Sequence, residues 1–346
     1  MRYLLGGRQK MKHLKHRLLC ALLIFTLILS ALSLFSCSEK EASNGKISIV
    51  CTLFPQYDWL RNITESSQNI ELKLIIANGS DPHSYQPTAA DIMAISNCDI
   101  IIYVGGDSDE WVKKALERSK NDNIQKIALT ELEGINLHNI SSSSHSHDGH
   151  SHGEHSHEGH SHSSLDEHVY LSLRNAMASV RAISKALCEK DPENAELYAS
   201  NSQKYIEKLS AMSADLALSA GSVPEEERFI LFADRFPFVY LLSDYGIHYS
   251  AAFEGCTTDV DADFNTVLRL IHEADEHNVK YIAVTESSDR SLAETVISST
   301  KDKTQKILVF NSLQAISRSK IEGGATYLSL MEENAKALKT ALGLIN

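Results

Sequence analysis

Apolar positions in this chain fall into two series of strand and helix patterns separated by a long helical stretch. In the first series Ile47 to Leu53 reads as a β-branched strand, Gln56 to Ser66 as a helix, and Ile70 to Ile76 as a strand. Ala89 to Asn97 reads as a helix, Asp99 to Val104 as a continuous apolar strand, Glu110 to Ser119 as a helix, and Lys126 to Ala128 as a short strand. Strands that are apolar throughout and alternate with helices indicate a parallel sheet covered on both faces. From Glu167 to Lys190 a helix is predicted with Val169, Leu173, Met177, Val180 and Ile183 on one side, and Asp191-Pro192 breaks it. A second helix follows from Glu193 to about Ala220, with Leu197, Tyr205, Leu209, Met212 and Leu216 at helical spacing. At 1.5 Å per residue it spans about 42 Å, which reads as a rigid strut between two lobes. The pattern then restarts, with strands at 229–233, 248–252, 281–285 and 306–310 and helices at 237–245, 263–278, 291–300 and 326–342. The expected fold class is α/β, in two lobes that are each a parallel sheet flanked by helices, with a ligand cleft between them.

The ends of the chain add a compartment. Six basic residues, Arg2 to Arg17, precede an apolar run from Leu18 to Phe35 that ends at Ser36-Cys37. That order describes a secretory signal, here expected over residues 1–36, with Met11 as an alternative start. A cysteine directly after the cut resembles a lipobox, so Cys37 is the expected lipidation site, with an uncleaved membrane anchor as the alternative. Residues 37–45 read as a tether, 46–192 as the first lobe, 193–220 as the linking helix and 221–346 as the second lobe. Six of the 33 basic residues and none of the 45 acidic ones lie in the signal, so the net charge of -12 becomes about -18 without it. Such a charge argues against nucleic acid or anionic lipid as a partner and is compatible with cations. Cys51, Cys98, Cys188 and Cys256 carry no zinc-finger spacing; Cys51 and Cys98 read as small buried hydrophobes.

Candidate chemistry begins with an internal segment, 141–164, that the composition expects to be disordered. It holds His145, His147, His150, His152, His155, His157, His160 and His162 among serines, glycines and acidic residues. Imidazole that is mostly unprotonated at neutral pH suits zinc or another borderline ion better than magnesium or calcium. The sharpest motif elsewhere is D-P-H-S-Y-Q-P-T-A-A-D-I from Asp81 to Ile92. Thr88 and Asp91 form a capping box for the next helix, while Pro82 and Pro87 stiffen the loop that presents His83. The loop follows a strand, at the edge where open α/β sheets bind ligands.

With the lipobox, this motif, Glu110-Trp111, the His-rich insertion, Asp166-Glu167-His168-Val169-Tyr170-Leu171 and the strut helix, nearly the whole mature chain resembles one family. It is similar to the solute-binding lipoproteins of ABC importers for zinc and manganese, known as cluster A-I. The resemblance implies that His83 and His168 are the metal histidines of the first lobe. It also implies a third ligand, His or Glu, at a position that Ala233 occupies here, and an Asp where this chain has Asn311, which is carried as a candidate ligand. Asp234, next to Ala233, is a candidate replacement, and Glu286 is another. Glu254, Asp259, Asp261 and Asp263 read as a solvated acidic face.

The resemblance implies a zinc-binding protein, with manganese as alternative, that serves an ABC permease and its ATPase from the outer face of the cell membrane. It is expected to act as a monomer, anchored through Cys37, and to be no enzyme. A zinc-dependent hydrolase would need a positioned general base, and no H-E-x-x-H motif is present. A metal-binding surface adhesin uses the same fold and stays open.

Overall fold

The computed structural model describes residues 45–139, 165–254 and 262–345. The expected signal, Cys37, the eight histidines of the 141–164 segment, Cys256, Asp259 and Asp261 lie outside the described residues. Lys46 to Asn346 forms one compact unit built on two four-stranded sheets.

The first sheet contains β1 (Ile47–Cys51), β2 (Ile70–Leu74), β3 (Ile100–Tyr103) and β4 (Gln125–Ala128) in the order β2-β1-β3-β4. The second contains β5 (Phe229–Phe236), β6 (His248–Glu254), β7 (Tyr281–Thr285) and β8 (Lys306–Phe310) in the order β6-β5-β7-β8. Every pairing is parallel, and each first strand is central, with its successor on one side and the third strand on the other. Residues such as Ile101, Ile102, Ile282 and Val284 are fully buried, because helices cover both sheet faces.

In the first lobe the helices are α1 (Phe54–Ile63), α2 (Ala89–Asn97) and α3 (Glu110–Arg118). Next come α4 (Leu173–Lys190) and the 27-residue α5 (Ala195–Gly221). The helices α6 (Val239–Ser243), α7 (Phe264–Glu276), α8 (Ser291–Ser299), α9 (Arg318–Glu322) and α10 (Tyr327–Ala341) complete the chain. The expected strut is therefore present, but it is no free rod: α5 packs along α4 and against α1 and α10. Helix α10 returns from the second sheet to α1, where the buried Asp58 accepts the Tyr327 N–H at 2.9 Å. That bond satisfies one of the four donors a helix start leaves open.

Two boundaries differ from the sequence expectation for a physical reason. The helix expected from Glu167 starts at Leu173, because the Asp166 carboxylate holds the His168 N–H and Ser172 caps the helix through Asn175 N. His168 thus lies in a buried turn that precedes the 3-10 turn Val169–Leu171. Strand β5 continues to Phe236, past the expected end at Ala233, with a register shift against β6 between Phe232 and Arg235. Asn139 and Leu165, which flank the His-rich segment in sequence, form an antiparallel bridge.

Candidate metal centre

Each histidine of interest is placed by a carboxylate. After β2 the chain makes a 3-10 turn, Pro82–Ser84, whose cap is Asp81; its Oδ1 accepts the His83 N–H at 3.0 Å. The capping box expected at Thr88 and Asp91 is present, and Asp91 Oδ2 also accepts the Tyr85 hydroxyl at 2.7 Å. Burial raises the Asp91 pKa, but hydrogen bonds from Thr88 and Tyr85 outweigh it and leave the carboxyl below its usual range. Tyr85 packs on Trp111 of α3, so the histidine loop rests on the next helix.

His168 is 3% exposed, and its ring nitrogen Nδ1 donates to Asp166 Oδ1 at 2.9 Å. With the proton at Nδ1, the lone pair sits on Nε2, the usual effect of a carboxylate behind a metal histidine. Glu167 continues the anchoring, since its two oxygens accept the backbone N–H and the hydroxyl of Ser108. Gly106 makes this possible: a Cβ there would sit 2.3 Å from the Glu167 side chain. In the same turn Asp109 accepts the Val104 and Gly105 N–H groups, and burial pushes its carboxyl up to about 6. From the second half of the chain, Tyr240 of α6 donates to the Asp166 carbonyl at 2.6 Å, and the Tyr327 hydroxyl donates to the Tyr170 carbonyl at 2.8 Å.

These supports bring His83 and His168 together across 85 residues, with ring centroids 5.8 Å apart. The other candidates, Asp234, Asn311 and Glu286, are engaged elsewhere. Asp234 Oδ2 accepts the N–H and the hydroxyl of Thr285 at 2.8 and 2.7 Å, while Oδ1 accepts the Arg235 N–H. Asn311 exchanges backbone and amide bonds with Asn334, and its Oδ1 accepts the Leu313 N–H. Ala233 is buried and offers no donor atom.

Sequence reasoning missed the second-lobe side chain that does reach His168, Gln314, whose carboxamide nitrogen meets Nε2. Its loop is built for presentation. Glu286 accepts the N–H and hydroxyl of Ser312 at 2.8 and 2.7 Å, and Leu313 takes a left-handed φ of 57°. A branched aliphatic residue holds that conformation only under constraint. The available signal was slight: a glutamine three residues beyond Asn311, on the loop after the last strand. Among the described residues no group of three or more His, Cys, Asp or Glu side chains is placed to hold a metal ion.

Two parallel-sheet lobes thus bring a histidine pair to the place where their loops meet. The family model for the zinc-uptake complex component A periplasmic protein matches residues 49–341, and the chain belongs to that family. The chain is 30% identical over 322 residues to the zinc-binding lipoprotein AdcA of Streptococcus pneumoniae strain TIGR4, covering 90% of this chain and 59% of that protein. It is also 30% identical over 304 residues to the high-affinity zinc uptake system protein ZnuA of Bacillus subtilis, covering 88% of this chain and 90% of that one. The crystal structure of the metal-dependent lipoprotein YcdH from Bacillus subtilis superposes with a TM-score of 0.69 at 26% identity, over 87% of this chain and all of that one. The chain thus spans about three fifths of the length of the pneumococcal relative.

Proposed function

We propose that this chain captures a divalent metal ion, zinc in the first place, in the cleft at His83 and His168 and hands it to an ABC permease driven by its ATPase. The observation that carries the reading is the approach of the two histidines, with Asp166 directing the His168 Nε2 lone pair toward Gln314. Gln314, whose amide nitrogen faces His168 Nε2, serves as the second-lobe donor through its amide oxygen once the carboxamide turns over, while Asp234 and Asn311 brace the strand ends around it. Two imidazoles suit zinc, and the names of the relatives from Streptococcus and Bacillus agree with that cargo. Manganese is the second reading, since an oxygen donor beside the two histidines would move the preference toward it. Capture and release need no catalytic group, and the expected location is the outer face of the membrane, with Cys37 lipidated and the chain monomeric. The histidines from His145 to His162 act as a weaker collector beside the cleft.

The test is metal titration of the purified chain with zinc and manganese against a chelator, for wild type, His83→Ala, His168→Ala and Gln314→Ala. Each histidine variant is expected to lose the tight site. Retention of one tight zinc in His168→Ala would refute the assignment.

A further inference from the structure

Asp81 uses its two carboxylate oxygens in two directions. Oδ1 holds the His83 N–H, and Oδ2 accepts Arg235 Nη1 from the end of β5, at 3.0 Å in each case. We propose that Arg235 is a positioning residue for metal retention: it bridges the two lobes and fixes the turn that presents His83. The inference rests on the reading of His83 and His168 as the metal donors.

The guanidinium is itself held. Nη2 donates to Ser287 Oγ at 3.2 Å, and that hydroxyl lies 3.3 Å from the Thr285 hydroxyl, beyond β7. The fork of an arginine can serve Ser287 and Asp81 at once, which the single point charge of a lysine cannot. The register shift between Phe232 and Arg235 fits this use, because an irregularity in a strand re-aims the side chain that follows. Arg235 and Asp81 are each about a quarter exposed, 26% and 25%. A pair so exposed adds little to folding stability, so its consequence lies in geometry. A second contact acts in the same place: Asn78, ahead of the His83 turn, bridges to Ser317, beyond β8. Departure of an ion requires the loops around it to part, and the Asp81–Arg235 contact resists that parting. Its loss therefore acts on release more than on capture.

The experiment is stopped-flow measurement of zinc release into excess chelator, and of zinc uptake, by the full mature chain. Arg235→Gln is expected to speed release by about tenfold, the scale on which positioning groups around metal ligands act, with uptake changed less than twofold. Asp81→Asn should match it, the double variant should be no faster than either single one, and Arg235→Lys should recover part of the loss. High ionic strength should speed release from wild type and leave Arg235→Gln unchanged. Release within twofold of wild type in both single variants would overturn the role of Arg235. His83→Ala separates the two readings: if it keeps the tight zinc, the site assignment fails. If it loses the zinc while Arg235→Gln releases normally, only the positioning role fails.

Discussion

Carboxylates behind the site residues, more than the histidines alone, set what the cleft can do. Asp166→Asn keeps the shape of the turn but weakens the acceptor at His168 Nδ1, and is expected to lower zinc affinity by about 10- to 100-fold in chelator competition, with an unchanged melting curve. Gly106→Ala should act on the same turn from the other side, forcing Glu167 off Ser108 and destabilising the fold by about 1–3 kcal/mol in urea unfolding. Asp109 carries a pH dependence. Its folded-state pKa, about 6, lies above the ordinary 3.8, so between those values the folded chain holds a proton that the unfolded chain has released. This contribution of about 3 kcal/mol favours folding below pH 4 and is lost as pH rises through 6. Asp109→Asn, which keeps an acceptor for Val104 and Gly105, should remove that slope from urea midpoints taken across the interval. His83 stood out in the sequence because the prolines and capping box around it are local, whereas His168 came only with the family resemblance, since 85 residues separate it from His83. Gln314 and Arg235 were not, since their partners lie 146 and 154 residues away and nothing in the polar loops near them marks the direction of a side chain.

Among the elements, α2 shows how a local signal passes to the site. Thr88→Ala removes its cap and should cost about 1 kcal/mol in denaturant unfolding. The same change frees Asp91, which holds Tyr85 and so the end of the His83 turn. Apolar and β-branched runs, continuous in β3 and alternating in β2, marked the eight strands of the described residues, and helical spacing marked the longer helices, because both patterns follow from which faces are buried. Ends were less legible. The start of α4 shifted because Asp166 and Glu167 spend their side chains on a turn, and β5 ran on because its last residues pair with Phe253 and Glu254 across an irregular register. The five-residue α9 has too few positions for a period to show.

At the scale of the whole chain, both sheets repeat one strand order, which the sequence foreshadowed as a restart, but the closing helix crosses back to the first lobe. No periodicity could reveal that, because it depends on a contact between Asp58 and Tyr327 at a separation of 269 residues. The bridge between Asn139 and Leu165 has a consequence of its own kind. The described residues on either side of the His-rich insertion are tied to each other, so its length bears little on the stability of the fold. Doubling a closed segment costs only about 0.6 kcal/mol. Excision of residues 145–162 is accordingly expected to leave the melting temperature within about 2 °C and one tight site intact, while total bound zinc falls. Histidines can then be gained or lost there as the metal supply changes, and neither sheet has to be repacked to accommodate them.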